Sequence, residues 1–173
     1  MKYKAIFLIL LSTLSLMRNA YADSVFSFSG LNWNDSMSTA DEKLKANGNG
    51  GISTFDKIRC SVTFIIGNSC SCRFEGAGLG FGDIFFNKKG KLTSVLLWVE
   101  DKDRTLKILT KKYGKPMVFT PATSGNSLLD FTEAESTWKS TNGETLNMRG
   151  GFVHYESNQE ASLKDKDRQD SRF

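Results

Sequence analysis

The last third of the chain consists of short strand-like segments joined by glycine-containing turns. Residues 135–140, 144–149 and 152–155 are separated by Asn142-Gly143 and by Gly150-Gly151. Asn-Gly is a strong hairpin signal, because both central positions of its tight turn need a positive φ. A two-residue connection can join only antiparallel neighbours. The sequence therefore predicts an antiparallel sheet.

Two helices are predicted to accompany these strands. The first has its candidate N-cap at Ser38 or Thr39 and a stop signal at Gly48. The second begins in the charged segment 100–104 and ends at Gly114. The predicted fold class is therefore α+β, with two short helices packed on an antiparallel sheet. One possible arrangement is two helix-then-sheet modules in tandem.

Further strands are predicted between the two helices. Residues 58–66 and 91–99 are rich in β-branched and aromatic side chains, which favours strands. The run Lys88-Lys89-Gly90-Lys91 lies between apolar segments and is typical of a solvated hairpin turn. Residues 76–82 contain four glycines but lack the GK[ST] ending of a phosphate loop, so a bulge or wide bend is predicted.

The N-terminus has the pattern of a secretory signal peptide. Lys2 and Lys4 precede an apolar run over residues 5–17, and Ala20-Tyr21-Ala22 follows. The run is shorter than the roughly 20 residues that a transmembrane helix needs. We therefore predict that residues 1–22 are cleaved, and that the mature protein is periplasmic or secreted with no integral membrane span.

Removal of this segment changes the charge of the chain. Residues 1–22 contain Lys2, Lys4 and Arg18 and no acid, so the formal net charge falls from +4 to about +1. A near-neutral domain has no overall field that would attract nucleic acid or anionic lipid. Nucleic acid is therefore not an expected partner.

The mature chain is predicted to form one domain and a tail. Residues 23–155 form the single α+β domain, with 26–99 and 100–155 as possible halves. Residues 156–173 are charged and nearly free of apolar side chains, so this tail is predicted to be disordered.

The three cysteines all lie in the exported part of the chain, where disulfides form. A Cys70–Cys72 bridge has unfavourable geometry for residues two apart on a strand. In a tight hairpin of two strands, Cys60 would lie roughly 15–20 Å from Cys70. We favour a Cys60–Cys72 disulfide that closes a loop, with Cys70 as the alternative partner of Cys60.

No metal or cofactor site is predicted. The spacing Cys70-x-Cys72 with a distant Cys60 differs from the CxxC pattern of zinc and dithiol sites. The single histidine, His154, lies more than 80 residues from the cysteines and in an alternating strand-like segment. A nucleophilic cysteine would need a base nearby.

Carboxylates offer one enzymatic alternative, a small envelope hydrolase in which two acids act across a cleft. The best candidates are Asp130, Glu133 and Glu135, with Glu100 and Asp101. Such work requires at least one carboxyl group in an environment that perturbs its pKa, and the sequence offers no such signal. The protein is therefore predicted not to be an enzyme.

The start of the mature chain resembles known exported modules. Phe28-Ser29-Gly30-Leu31-Asn32-Trp33, with Met37-Ser38 before a helix, is similar to the opening of SmpA/OmlA-like modules and of β-lactamase-inhibitor proteins. In the inhibitors a methionine-led helix is followed by a disulfide whose second cysteine opens a strand, and Met37, Cys60 and Cys72 match those places. The resemblance implies an α+β architecture and a binding role for one face of the sheet.

The function predicted from the sequence is that of an exported, non-enzymatic binding protein of the bacterial envelope. An inhibitor, an immunity-like protein or an accessory protein would fit, and the partner is an unknown protein or envelope component. Aromatic side chains are enriched at interface hot spots, although most aromatics on alternating strands belong to the core. The binding candidates are Trp33, Phe85, Trp98, Trp138 and Tyr155.

Overall fold

A computed structural model describes residues 26–76, 80–123 and 133–158 of the 173-residue chain. The predicted signal peptide, most of the predicted tail and the candidate acid Asp130 lie outside these residues. The described residues form three helices and seven strands. In chain order these are α1 (Met37–Ala46), α2 (Thr54–Ile65), β1 (Cys70–Gly76), β2 (Gly80–Phe86), β3 (Leu92–Trp98), α3 (Lys102–Tyr113), β4 (Val118–Thr120), β5 (Glu135–Lys139), β6 (Thr145–Arg149) and β7 (Phe152–Glu156).

The seven strands form one antiparallel sheet in the order β1-β2-β3-β7-β6-β5-β4. The predicted α+β class is confirmed. The predicted hairpins at Lys88–Lys91, Asn142-Gly143 and Gly150-Gly151 are also confirmed, because each turn joins two paired strands. The sheet contains two groups of paired strands, called here the two hairpin groups: β1-β2-β3 and β7-β6-β5-β4. They meet where β3 pairs with β7, with Val95 opposite Tyr155.

The core lies between one face of the sheet and the helices. Ile84, Val95 and Leu146 are among its fully buried strand residues. Ala40 and Leu44 of α1, Cys60 of α2 and Leu109 of α3 belong to the same cluster. The helices are 10 to 12 residues long, and helices of this length are marginally stable alone, so their packing on the sheet stabilises them.

The prediction of a strand at residues 58–66 is wrong, because this segment lies in helix α2. Ser53 caps the helix by accepting a hydrogen bond from the backbone N–H of Asp56, at 3.0 Å. Phe55, Ile58 and Val62 are spaced three and four apart, which is the period of a helix. The spacing, rather than the β-branched content, matches the observed structure. The cap of α1 is Ser36, two residues before the predicted one.

The favoured Cys60–Cys72 disulfide is also wrong, since the structure has the alternative Cys60–Cys70 pair, with Cα atoms 5.5 Å apart. The distance predicted between Cys60 and Cys70 is too long because it assumes that residues 60–66 are extended, whereas they lie in α2 and at its C-cap. A helix rises about 1.5 Å per residue against about 3.3 Å in a strand, so Cys60 stays close to the start of β1. Cys72 is buried and carries a free thiol.

Asp41 links α1 to the segment that leads into α2. This buried carboxylate accepts hydrogen bonds from the backbone N–H of Ile52 at 2.7 Å and from Lys45 at 2.9 Å, and it also pairs with Lys57. Burial by itself raises the pKa of Asp41, but the hydrogen bonds from Lys57, Lys45 and Ile52 outweigh burial and lower it. The ionised side chain of Asp41 therefore fixes the position of α2 relative to α1.

None of the helices in residues 26–76, 80–123 and 133–158 has the length and apolar character needed to cross a membrane.

Candidate binding face of the sheet

The side of the sheet that faces away from the core is called here the open face. Along each strand alternate residues point to opposite faces. On β1, Cys70 and Cys72 are buried towards the helices, whereas Arg73 is exposed on the open face. The helices in the described part of the chain all contribute to the core on the other side. The open face is therefore a surface made of strand side chains.

Three aromatic side chains form a row across this face, called here the aromatic row: Phe81, Trp98 and Phe152. The ring centroids of Phe81 and Trp98 are 4.6 Å apart, and those of Trp98 and Phe152 are 5.6 Å apart. Trp98 and Phe152 are cross-strand partners on β3 and β7. Phe81 is 42% exposed and Phe152 is 40% exposed. The row is a continuous aromatic surface that solvent reaches.

Guanidinium groups lie beside the aromatic row. The Cζ atom of Arg73 is 4.9 Å from the centroid of the Phe81 ring and 5.7 Å from that of Trp98. Its Nε donates to Asp83 Oδ1 at 3.3 Å. Arg149 on β6 is the cross-strand partner of Phe152 and is exposed. Cation–π contacts of this kind are made by Arg more often than by Lys.

Polar side chains occupy the centre of the open face. His154 on β7 and Asn147 on β6 are cross-strand partners there. His154 Nδ1 lies 3.3 Å from Glu156 Oε1, and its ring centroid is 6.5 Å from that of Phe85. The face thus combines an aromatic patch with hydrogen-bonding groups, as the centre and rim of a protein interface do.

Two of the five aromatic candidates lie on the open face. Phe85 and Trp98 are partly exposed there. Trp138 and Tyr155 point to the opposite face and are buried, so their prediction as binding residues is not supported by their position. Trp33 lies outside the sheet and packs against the core.

The three inward or off-sheet aromatics have structural contacts instead. Trp138 Nε1 donates to the carbonyl oxygen of Gly114 at 2.8 Å. Trp33 Nε1 donates to the buried carboxylate of Glu144 at 2.8 Å. Burial, and to a smaller extent the neighbouring Tyr113, raises the pKa of Tyr155. These side chains position strands and do not form a surface.

Phe81, Phe152 and Arg73 are not among the candidates predicted from the sequence. A usable signal was present in β7, where Val153 and Tyr155 alternate with His154 and Glu156. The polar residues His154 and Glu156 mark the outward side of β7. Phe152 points to the same side because it lies two residues before His154 on the strand.

The three cysteine sulfurs form a compact group in the core. They lie within 4.8 Å of one another, and Cys72 Sγ is 3.0 Å from Cys60 Sγ and 3.9 Å from Met37 Sδ. Three such sulfurs could share a metal ion, but the Cys60–Cys70 bond takes up two of them. Burial, with a contribution from nearby Asp56, raises the pKa of the Cys72 thiol to about 12. A thiol of this kind is a poor nucleophile at neutral pH.

The candidate carboxylates have separate roles in the described ranges. Asp101 caps α3 by accepting from the backbone N–H of Arg104 at 2.9 Å. Glu135 lies on the open face and accepts from Asn147 Nδ2 at 2.5 Å. Glu133 instead lines a cavity of about 210 Å³ beside α3. Glu100 is exposed just before α3.

Comparison with protein-family models, with curated proteins and with solved structures gives no match.

Proposed function

We propose that this chain is an exported, non-enzymatic binding protein of the bacterial envelope, and that it binds a partner protein through the open face. The observation that carries the proposal is the aromatic row flanked by Arg73. Phe81, Trp98 and Phe152 are left in contact with solvent although the sheet has already formed its core on the other side.

The chemistry of the open face fits a protein partner. Trp and Arg are enriched at the energetically dominant positions of protein interfaces, which are ringed by polar groups that exclude water. Here Trp98 and Arg73 are in contact, and His154 and Asp83 lie beside them. Packing a partner against the rings would remove apolar area from water without disturbing the core.

The open face sets a limit on the area that it can bury. Seven strands about 4.8 Å apart span roughly 30 Å, and five residues of strand span roughly 16 Å, which gives a flat area of roughly 480 Å². A stable protein interface buries about 800 Å² on each partner. A partner of this class would therefore cover the whole open face and extend past its edges.

Export is supported by two features of the chain. Residues 1–22 have the charged, apolar and small-residue parts of a signal peptide. The Cys60–Cys70 bond is of a type that persists in oxidising compartments. The likeness to exported envelope modules agrees with this location, and a periplasmic or secreted inhibitor, immunity-like protein or accessory protein would use such a face.

The test is affinity capture with matched variants. The mature chain, from Asp23 onwards, is immobilised and exposed to an envelope extract of the producing bacterium, and the retained partner is then titrated. We expect Trp98→Ala and Phe81→Ala to weaken its binding at least tenfold, because each removes part of the aromatic row. Ile108→Ala is the control, since Ile108 is an exposed apolar side chain on α3, outside the open face.

Two results would contradict the proposal. One is a partner whose affinity is unchanged by both open-face variants. The other is turnover of a peptidoglycan or ester substrate with no retained partner, which would favour the hydrolase alternative. Circular dichroism of each variant checks that the fold is intact.

A further inference from the structure

Helix α2 exposes most of its apolar side chains. The exposed fractions are 74% for Phe55, 62% for Ile58, 58% for Val62, 84% for Ile65 and 68% for Ile66. At 3.6 residues per turn these five positions fall within an arc of about 100°. They are called here the α2 stripe. An apolar arc of this width is the face that a helix ordinarily buries.

The opposite side of α2 is the one that contacts the domain. Cys60 is fully buried and bonded to Cys70 of β1. Phe64 packs partly against the core, with its ring 6.4 Å from that of Phe86. The α2 stripe therefore points away from the sheet, and the open face lies on the far side of β1. A contiguous exposed apolar surface on a folded domain marks an interaction site.

A cluster of lysines lies near the C-terminal end of α2, on the side of Phe64. Lys88, Lys89 and Lys91 are exposed in the turn between β2 and β3, called here the basic turn. A Cβ atom on Gly90 of this turn would be 3.4 Å from the ring of Phe64, so the turn lies next to the last turn of α2. The ion pairs found among the described residues do not include these three lysines.

We propose that the α2 stripe and the basic turn together bind the surface of an anionic lipid bilayer. A helix with an apolar face and adjacent lysines lies in the interfacial plane, with its apolar side chains at the boundary between headgroups and acyl chains. Lysines beside it attract lipid phosphates. The α2 stripe supplies the apolar contact, and the basic turn supplies charge complementarity.

The composition of this surface favours a bilayer over a protein. The cores of protein interfaces are enriched in Tyr, Trp and Arg, and they are depleted in Lys. The α2 stripe is mainly isoleucine and valine with one phenylalanine, and its charged neighbours in the basic turn are all lysine. The proposal goes beyond the proposed function. A chain held on a bilayer by α2 would keep its open face directed away from the lipid.

The test is vesicle co-sedimentation of the mature chain at low ionic strength. We expect at least fivefold more protein bound to vesicles of phosphatidylcholine with 30% phosphatidylglycerol than to vesicles of phosphatidylcholine alone, with binding lost at high salt because charges are screened. Ile65→Ser and the double variant Lys88→Ser/Lys89→Ser should each lower binding to the anionic vesicles at least fivefold. Both change exposed side chains, so the fold should be retained.

The control is Phe81→Ala on the open face, which should sediment with the vesicles as the unchanged protein does. Equal binding to the two vesicle types, or undiminished binding by Ile65→Ser, would overturn the proposal. The proposal would also be overturned if the protein bound no vesicles and instead formed a dimer that Ile65→Ser dissociates. That result would assign the α2 stripe to contact with a second copy of the chain. Because Phe81→Ala affects only the open face, failure of lipid binding and failure of partner binding are distinguishable.

Discussion

Cys60 has two sulfur neighbours on β1, and it is bonded to one of them. Cys70 and Cys72 are two residues apart on the strand and point to the same face, so both sulfurs approach Cys60. Cys72 Sγ lies 3.0 Å from Cys60 Sγ without a bond. The local geometry therefore places a second partner within easy reach.

We predict that Cys70→Ser will form a Cys60–Cys72 disulfide and keep the native fold. The sulfur of Cys72 needs to move by only about 1 Å to reach bonding distance of about 2.05 Å. Peptide mapping without reductant, after alkylation in acid to prevent exchange, measures the pairing. Cys72→Ser is the matched control and should retain the Cys60–Cys70 bond. Two freely alkylated thiols in folded Cys70→Ser would contradict the prediction.

At the scale of single residues, the sequence predicts which aromatic residues lie in strands better than it predicts the face to which each one points. Trp98 and Tyr155 were equally good candidates by composition, but the cross-strand register puts them on opposite faces. A displacement of one residue would exchange the two faces of a strand. The alternation of Val153 with His154 indicates which face of β7 is buried. The buried faces of several strands must be matched before the direction of Trp98 or Tyr155 can be predicted.

Helix α2 shows how spacing and composition can disagree at the scale of an element. Its β-branched residues favour a strand by intrinsic preference, which is a weak effect. The Ser53 cap and the three-and-four spacing favour a helix. The strand predicted at residues 58–66 follows from the β-branched composition of this segment and not from the spacing of its apolar residues. Strand β4 was also not predicted, because three exposed residues carry almost no pattern.

Asp41→Asn tests the link between α1 and α2. We expect the variant to lower the free energy of unfolding by about 2 kcal/mol at neutral pH, because hydrogen bonds to a charged group are weakened. The folded-state pKa of Asp41 is lowered, so its stabilising effect is present above about pH 4 and is lost as the pH falls through that pKa. The difference between the two proteins should therefore narrow in acid.

Urea titrations at pH 7 and at about pH 3 measure this difference. Glu42→Gln is the control, since Glu42 is the exposed neighbour of Asp41 on α1. An equal loss of stability at both pH values would show that Asp41 acts through shape rather than charge.

At the scale of the described molecule, the sheet is continuous because of one pairing of strands that are distant in the sequence. β3 and β7 join the two hairpin groups, and Leu97 lies opposite Val153 in the core. The tight turns within each group could be predicted, because their residues are local. The β3–β7 pairing could not, because it forms across more than 50 residues and depends on how the helices cover the sheet.

This continuity predicts a single cooperative unfolding transition for the mature chain. Separation at β3–β7 would expose Val95 and Leu97 on one side and Val153 and Tyr155 on the other, so neither part is expected to remain folded alone. Urea curves followed by tryptophan fluorescence and by far-ultraviolet circular dichroism should coincide. Two separate transitions would instead indicate independent halves at 26–99 and 100–155.

The Cys60–Cys70 bond lets α2 remain attached while contributing little side-chain area to the core. Most helices stay attached to a domain because they bury their apolar face against it, so that face is not exposed to solvent. The disulfide attaches α2 covalently, so α2 can expose its apolar side chains to the surroundings. If the α2 stripe binds lipid as proposed, the oxidised chain should bind it more strongly than the reduced chain, because the disulfide fixes the position of α2.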